Sequence, residues 1–446
     1  MVSSTYIAGV GMTPFNSPKK SAAQSRDPGS DYFDLGVEAG VKALLDAGIT
    51  YDEVDQGIGC YVFGDSTCAQ RVFYGLGMTS IPIFNVNNYC SSGSTGLWLA
   101  NQAVKSGSAD CVLVIGFDKM YPGALPQIFK DRTNPLSRIL DLSKTQIPEQ
   151  DRNKPSPGWT PQLYANAQHE YLTKYGPNGA QRKHFAQITA TGAAAAVVVS
   201  EAFLASHPYL QGSAIEIAGQ SLATDSCKLY SSAIELIGSD MTRKAAASAF
   251  TMANIGPRDV SVIELHDCFT TNQMCALEGL GLAEEGQGWK LVEDGGITYR
   301  KNDGAGTPTQ GWIVNPSGGL ISKGHPLGAT GLAQCAELVW HLRGWATSRQ
   351  VPGTKYCLQH NMGLGGATVV TIYKRADGKQ APEPTEIRPE DDGRGRLGYN
   401  PAEEARSIRR EDWEATKAHG QGSSEWATKL LPWNQVPEAF AQRARL

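Results

Sequence analysis

Short apolar segments alternate with amphipathic segments along most of the chain. Each apolar segment has the length of a buried strand, and several segments between them carry apolar residues at three- and four-residue spacing, as one face of a helix does. The predicted strands are 6–10, 57–62, 83–87, 111–116, 197–200, 214–218, 260–265, 312–314, 355–359 and 367–373, and the predicted helices include 32–47, 94–106, 164–175, 244–253 and 330–345. This alternation predicts an α/β fold.

Two regions depart from this pattern. Residues from about 119 to 184 are rich in Pro, Gln, Asn and Lys and have weak periodicity, which predicts an inserted layer over the core. Residues 376–446 begin with a polar run that contains Pro and Gly, which is typical of a linker or an extended tail. The tail also carries apolar residues that could anchor it to the core, namely Trp426, Leu430, Leu431 and Trp433.

Length, composition and charge limit the class of protein. A chain of 446 residues is too long for one compact core, and 41% hydrophobic with 19% charged residues is typical of a globular protein. The net charge of -4 argues against nucleic acid or an anionic membrane as the main partner, and no apolar run reaches the ~18 residues of a membrane span. The N-terminus lacks a basic region ahead of an apolar core, so we interpret it as a first strand rather than a signal peptide.

The nine cysteines are scattered singly along the chain, and no pair has the spacing of a zinc finger. An odd number of isolated cysteines predicts neither a disulfide framework nor a structural metal site, and it favours a reducing compartment. Most of these thiols are expected to be small buried residues.

The sequence contains an internal repeat. Residues 47–54 resemble residues 253–260, and residues 90–97 resemble residues 325–332, with Gly, Thr, Gly and Leu at matching places in the second pair. Because the two pairs occur in the same order, we interpret them as a duplication rather than as a chance similarity of Gly-rich turns. Cys90 and His325 then occupy equivalent positions, each after a strand and just before a helix.

Packing of the two copies about a pseudo-twofold axis would bring Cys90 and His325 face to face. The N-terminus of a helix favours the thiolate, which is the nucleophilic form of cysteine, and a Cys–His pair is a recurrent way to activate a thiol. Taken singly, either residue could be structural. The repeat is what favours a catalytic role for both.

His266, Asp267 and Cys268 directly follow a predicted strand, where open α/β sheets place their sites. The alternative is an ordinary helix cap at Asp267, but the titratable groups on either side of it favour function. His360 follows another predicted strand and precedes the glycine-rich residues 363–366, whose backbone could approach a ligand closely. That stretch runs into a strand, so it is not a dinucleotide-binding fingerprint.

Together these residues resemble the thiolase superfamily, and specifically the sterol-carrier-protein-type 3-ketoacyl-CoA thiolases. The resemblance covers about residues 5–375 and rests on residues 61–68, on the Glu-Leu-His-Asp-Cys-Phe segment 264–269, and on residues 315–331, which contain Gly-His-Pro. Ordinary thiolases have a Cys-x-Gly motif near the C-terminus, whereas His360 and Asn361 stand in its place here. This sub-family has that replacement and supplies its second cysteine from His-Asp-Cys-Phe.

The resemblance implies the α/β thiolase fold, a duplicated five-layered αβαβα core with an inserted loop domain, and a homodimer. It divides the chain into the first part of the N-terminal half (1–118), the loop domain (119–188), the closing part of that half (189–250), the C-terminal half (251–375) and the polar tail (376–446). The loop domain is expected to be shortened, because residues 186–191 alone join its last helix to the next strand.

The resemblance also implies acyl transfer from a 3-ketoacyl-CoA to free CoA, with CoA as co-substrate and no metal or tightly bound cofactor. Cys90 would attack the keto carbon, and Cys268 would protonate the departing acetyl-CoA enolate. His325 or His360 would take the proton from Cys90, while His266 and His325 would hold the thioester oxygen. The alternatives are a biosynthetic condensing thiolase, or an acyl-CoA- or lipid-binding protein whose catalysis is impaired by the shortened loop domain.

The chain ends in Ala444-Arg445-Leu446, which is similar to the Ser-Lys-Leu signal read by the peroxisomal import receptor. Together with the fatty-acid β-oxidation that the resemblance implies, this ending indicates the peroxisomal matrix. Full-length animal relatives continue into a lipid-transfer domain, which is not expected in this chain.

Overall fold

A large mixed sheet organises the computed structural model, which describes residues 4–15, 31–120, 129–153, 158–178, 192–297, 311–346, 349–382 and 408–420. The strands in these ranges are β1 (Thr5–Met12), β2 (Gln56–Cys60), β3 (Ile83–Val86), β4 (Cys111–Asp118), β5 (Gly192–Ser200), β6 (Ile215–Ala223), β7 (Val262–Glu264), β8 (Ile313–Val314), β9 (Tyr356–Gly363) and β10 (Ala367–Arg375). They are hydrogen-bonded in the order β3-β2-β4-β5-β1-β6-β10-β9-β7-β8. Each strand predicted from the sequence overlaps with one of them, although β5 begins at Gly192 rather than at 197 and β9 extends to Gly363 rather than to 359.

The strand order shows the duplication directly. From its edge inward, the first half has the order β3-β2-β4-β5-β1. From the opposite edge inward, the second half has the order β8-β7-β9-β10-β6. Counted within each half, both orders are third, second, fourth, fifth and first strand. The halves meet where β1 pairs with β6 through Tyr6 and Ile7. The predicted repeat is therefore confirmed. On this topology the second half begins with β6, at residue 215.

The helices repeat in the same way. They are α1 (Tyr32–Ala47), α2 (Cys68–Phe73), α3 (Ser92–Lys105), α4 (Ser137–Thr145), α5 (Trp159–Tyr175), α6 (Glu201–Ser206), α7 (Ala233–Leu236), α8 (Ser239–Ala253), α9 (Thr270–Gly279), α10 (Gly288–Glu293), α11 (Gly319–Lys323), α12 (Thr330–Arg343) and α13 (Arg410–Thr416). α1 and α8 each end on a left-handed residue, Gly48 (φ 64°) and Asn254 (φ 53°), and each is followed by a 3-10 turn. These turns belong to the segments 47–54 and 253–260 that resemble each other in sequence. Within the described ranges, no helix is both long enough and apolar enough to cross a bilayer.

The buried apolar residues separate into layers. One cluster lies between α1, α2 and one face of the first-half strands, and another lies between α8, α9 and one face of the second-half strands. A central cluster unites α3 and α12 with the opposite faces of both sets of strands, and α12 is buried along its whole length. The layers are thus helices, strands, helices, strands, helices, which confirms the predicted five-layered αβαβα core.

α3 and α12 approach each other closely at their N-terminal ends. A Cβ atom added to Gly93 of α3 would lie 2.6 Å from the carbonyl oxygen of Gly328, just before α12, and one added to Gly331 would overlap with the side chain of Ser94. Only glycine permits backbones to lie this close together. This contact brings the turns that precede the two helices, with Cys90 on one and His325 on the other, to the same region of the molecule.

The segment between β4 and β5 forms a helical layer, as the sequence suggests. α4 and α5 pack against α7 and α9 around a separate apolar cluster that includes Leu163, Tyr164 and Cys268. Residues 121–128, 154–157 and 179–191 of this segment, and with them the short join expected at 186–191, lie outside the described residues.

Part of the predicted tail is docked on the first half of the core. α13 buries Trp413, whose indole Nε1 donates to the carbonyl oxygen of Gly75 at 2.8 Å, and the Ala418 N–H donates to the carbonyl oxygen of Leu76 at 2.9 Å. The tail therefore contributes to the outer layer beside α1. The anchors expected at 426, 430, 431 and 433 and the C-terminal tripeptide lie outside the described residues.

Candidate active site

Cys90 lies in a tight turn between β3 and α3. Tyr89, directly before it, has a left-handed backbone (φ 54°), which is uncommon for a bulky residue. The hydroxyls of Ser91 and Ser92 donate to the carbonyl oxygens of Asn88 and Tyr89 at 2.9 and 2.6 Å and close the turn. Cys90 is held in a fixed orientation by these contacts and is only 6% exposed, within a small apolar cluster.

The hydrogen bonds of His325 determine which of its nitrogens can act as a base. Nδ1 lies 2.7 Å from Oγ1 of Thr330, and that hydroxyl donates its proton to the carbonyl oxygen of Pro326 at 2.8 Å. The hydroxyl therefore accepts from His325, so Nδ1 carries the proton and Nε2 presents a lone pair. Nε2 is buried and has no hydrogen-bond partner among the described residues.

His266, which follows β7, is fixed in the opposite tautomer. The Ser94 hydroxyl donates to Oδ1 of Asn361 at 2.8 Å, which orients the amide so that its Nδ2 donates to Nδ1 of His266 at 2.9 Å. Nδ1 is thus an acceptor, and in the neutral ring the proton is on Nε2. That buried Nε2–H also lacks a partner within the described part of the chain.

The sulfur of Cys90 and one ring nitrogen each of His266 and His325 lie within 4.8 Å of one another. The two rings are nearly perpendicular, with their centroids 4.9 Å apart. The structure therefore brings together Cys90 and His325, as the repeat suggests, and adds His266 to them. The group thus contains one thiol, one imidazole with an unpartnered lone pair and one with an unpartnered N–H.

His360 lies within β9 rather than after it, and both of its ring nitrogens are engaged. Nδ1 accepts from the backbone N–H of His266 at 3.3 Å, and Nε2 lies 3.1 Å from the Thr242 hydroxyl, which donates to the carbonyl oxygen of Gly238. His360 is thus suited to positioning His266. Of the two histidines considered as the base, the geometry favours His325.

The glycine-rich residues 363–366 form the turn between β9 and β10. Gly365 and Gly366 have φ of 93° and 105°, which such a turn needs. A Cβ atom added to Gly363 would collide with the carbonyl oxygen of Asn88. The backbone of this glycine-rich turn therefore lies against the turn that carries Cys90.

Cys268 lies two residues after His266, in the apolar cluster beneath α5. Its Sγ is 3.4 Å from the hydroxyl oxygen of Tyr164, and the ring of Tyr164 stacks on Phe269 with centroids 4.1 Å apart. The charge of Cys268 affects the pKa of Cys90, so the two thiols are electrostatic neighbours.

Burial favours the neutral form of each of these groups. It raises the pKa of Cys90 well above the usual value of a thiol, and the neighbouring charges of Cys268 and Asp118 raise it further. It lowers the pKa of His325 to about 3 and holds that of His266 well below its usual range. The sequence suggests that the start of α3 favours a thiolate at Cys90, but burial outweighs that effect. Cys90 is thus held as a neutral thiol rather than as a thiolate.

A sulfur and two imidazole nitrogens within 4.8 Å are also a set of donors that could hold a soft divalent metal. The hydrogen bond from Asn361 occupies Nδ1 of His266 and leaves Nε2 protonated, however, and a protonated nitrogen is not a ligand. As hydrogen-bonded here, only Cys90 and His325 offer lone pairs. The arrangement is better suited to proton transfer than to metal binding.

Comparison with known proteins identifies the family of the chain. The family profile "Thiolase, N-terminal domain" matches residues 5–133, and "Thiolase C-terminal domain-like" matches residues 223–375. "Sterol carrier protein 2" of Gallus gallus is 44% identical over 82% of this chain and 71% of its own length. The chain belongs to the thiolase family, in its sterol-carrier-protein type. "Non-specific lipid-transfer protein-like 2" of Caenorhabditis elegans is 39% identical over 83% of this chain and 95% of its own length.

Solved structures support the thiolase fold. The "Ltp2-ChsH2(DUF35) aldolase" has a TM-score of 0.63 at 18% identity and covers 84% of this chain and 98% of its own. Human mitochondrial 3-ketoacyl-CoA thiolase in complex with CoA has a TM-score of 0.55 at 17% identity, with coverage of 84% and 98%. This thiolase is thus an acyltransferase by family, acting on acyl-CoA.

Asp118, close to this site, was not predicted from the sequence. Asp118, at the end of β4, accepts the backbone N–H groups of Val62 and Phe63 and that of Gly328, and so ties the turn that follows His325 to the first half. Burial raises the pKa of Asp118 to about 6 even though these N–H donors lower it. The available signal was a carboxylate directly after a fully apolar strand.

Proposed function

We propose that this thiolase cleaves 3-ketoacyl-CoA with CoA, releasing acetyl-CoA (or propionyl-CoA) and a shortened acyl-CoA, in fatty-acid β-oxidation. The supporting observation is the pair of opposite tautomers beside the sulfur of Cys90. His325 offers a base to the thiol, whereas His266 offers an N–H donor toward the same point. Acyl transfer through a thioester needs both functions next to a nucleophile.

In the first step the Cys90 sulfur bonds to the keto carbon while Nε2 of His325 takes the thiol proton. The resulting alkoxide collapses, the bond between Cα and the keto carbon breaks, and acetyl-CoA leaves as an enolate. The N–H of His266 and the newly protonated His325 stabilise the enolate oxygen, and one such donor is typically worth about 3 kcal/mol in the transition state. Cys268 gives its proton to the enolate carbon, which leaves a thiolate at Cys268 and an acyl thioester on Cys90.

In the second step CoA enters as a thiol and gives its proton to the Cys268 thiolate. The CoA sulfur attacks the acyl carbon, the bond to Cys90 breaks, and the protonated His325 returns a proton to the Cys90 sulfur. All groups then have their starting protonation states. Every transfer is between this chain and its two CoA substrates, with CoA as co-substrate, so this route needs no tightly bound cofactor.

The direct test is thiolysis of a 3-ketoacyl-CoA by the purified chain. We expect the absorbance of the Mg²⁺–3-ketoacyl-CoA chelate to fall when CoA is added, with one acetyl-CoA formed for each substrate lost. Formation of 3-ketoacyl-CoA from acyl-CoA under the same conditions, with no net cleavage, would favour the condensing alternative. Binding of acyl-CoA without either reaction would favour the lipid-binding alternative that a shortened loop domain suggests.

The homodimer is a proposal supported by the edge of the sheet. Among the strands of the described ranges, β3 is the terminal one on the first-half side, and its Phe84 is 51% exposed. An unpaired strand edge that carries an exposed aromatic ring is suited to pairing with another strand. Sedimentation equilibrium should give about twice the 47.8 kDa chain mass, and Phe84→Asp should reduce it to the mass of one chain. A monomeric unaltered protein would contradict the dimer.

Peroxisomal location is likewise a proposal, supported by the ending Ala444-Arg445-Leu446 and by the family. The partner would be the peroxisomal import receptor, which reads the terminal tripeptide. With a fluorescent protein at the N-terminus, the chain should colocalise with a peroxisomal marker, and deletion of Leu446 should leave it in the cytosol. The same distribution with and without Leu446 would contradict the assignment.

A further inference from the structure

Tyr164 is the residue from which the structure leads beyond the proposed roles of the cysteines and histidines. It lies on α5, in the layer over the core, and is buried with 1% exposure. Its ring stacks on Phe269 with centroids 4.1 Å apart and an interplanar angle of 15°. Because the stacked ring fixes the phenol, its hydroxyl is held 3.4 Å from the sulfur of Cys268.

Cys268 has a demanding part in the proposed reaction, because it must hold a negative charge between two proton transfers in a buried site. Burial, with a smaller contribution from the nearby carboxylate of Asp267, raises the pKa of this thiol to about 12. The hydrogen bond between Cys268 and Tyr164 acts in the opposite sense and lowers this pKa. Tyr164 therefore faces the atom at which charge develops.

We propose that Tyr164 is a positioning residue that serves Cys268 in the proton transfer to and from the enolate carbon, an inference that rests on the proposed function. In the resting state the thiol of Cys268 donates to the Tyr164 oxygen. When Cys268 protonates the enolate, the Tyr164 hydroxyl turns and donates to the thiolate. Tyr164 keeps its own proton throughout, so the proton balance of the reaction is unchanged.

The same helix offers a matched control. Tyr171 lies two turns further along α5, is equally buried, and donates its hydroxyl to Glu278 rather than to a cysteine. Tyr164→Phe and Tyr171→Phe each remove one buried hydroxyl from α5 and keep the ring. Only the first removes a donor to Cys268.

Exchange of the α-hydrogens of acetyl-CoA with deuterated water isolates the step that uses Cys268. We expect Tyr164→Phe to lower the maximal exchange rate by about ten- to a hundredfold, the typical value of one hydrogen bond to a charged group. The acetyl-CoA concentration for half-maximal exchange should stay unchanged, and Tyr171→Phe should exchange at the rate of the unaltered protein. Alkylation of Cys90 by iodoacetamide, followed by mass spectrometry, needs no acid and should be equally fast in all three proteins.

An exchange rate for Tyr164→Phe within twofold of the unaltered protein would overturn the inference. So would an equal loss in Tyr171→Phe, or a parallel loss of Cys90 alkylation, because each would indicate a general structural effect. If the unaltered protein exchanges no α-hydrogen and cleaves no 3-ketoacyl-CoA, the proposed function fails and the role of Tyr164 fails with it. Cleavage by the unaltered protein together with normal exchange in Tyr164→Phe refutes the role of Tyr164 alone.

Discussion

Cys90→Ala is expected to reduce thiolysis of 3-ketoacyl-CoA by about 10⁴-fold or more while leaving the protein folded. The reason is that the proposed route passes through a thioester on this sulfur, and removal of a nucleophile eliminates the covalent path rather than slowing it. The methyl group of alanine fits the space of the thiol within its apolar cluster. Initial rates with saturating substrates, together with a thermal melt, measure both parts of the expectation.

Cys111→Ala is the control for Cys90→Ala. Cys111 is also a fully buried thiol, but it lies on β4 in the outer apolar cluster beside α1. The Cys111→Ala variant should retain activity within a few-fold of the unaltered protein. Activity above about one per cent in Cys90→Ala, with unchanged specificity, would assign the nucleophile to another residue.

His325→Ala is expected to slow formation of the acyl-enzyme by about 10²- to 10⁴-fold, the usual contribution of a general base. In this site the loss is expected toward the upper end, since burial keeps the Cys90 pKa high and no thiolate is present in advance. Rapid-quench measurement of the acyl-enzyme burst tests this directly. His207→Asn, which changes a half-buried histidine paired with Glu53 on the outer surface, should show a normal burst. A normal burst in His325→Ala would exclude it as the base.

The burial of His325 predicts an unusual pH dependence of the burst rate. Burial disfavours the charged imidazolium and lowers the pKa of His325 to about 3, so the basic form persists as the pH falls from 8 to about 5.5. The burst rate should therefore show no loss near pH 6.5, the ordinary pKa of histidine. Protein stability should nevertheless decrease below that pH, because the unfolded chain binds protons at histidines that stay neutral when folded.

The fold could be predicted from the sequence to a large extent, because it depends on patterns that the chain carries locally. Apolar runs of strand length coincide with the strands, and the resemblance of 47–54 to 253–260 corresponds to equivalent caps on α1 and α8. The start of α8 was predicted too late, since its first turn, from Ser239, is polar and helical periodicity is visible only further along.

The site could be predicted as a set of residues but not as a set of protonation states. The repeat pointed to Cys90 and His325, whereas the tautomer of His325 depends on the Thr330 hydroxyl and that of His266 on Asn361. The partnership between Tyr164 and Cys268 joins residues 104 positions apart in the chain. Such contacts follow from tertiary packing, and no local sequence pattern predicts them.

The backbone contact between Gly93 and Gly328 has a consequence for movement in this enzyme. Because the start of α3 and the turn before α12 leave no room for even a methyl group, moving the two backbones closer together would drive main chain into main chain. We therefore expect the turns that carry Cys90 and His325 to keep their relative positions when a ligand binds. Any opening that admits an acyl-CoA is then expected in the helical layer of α4 and α5 rather than between the two halves.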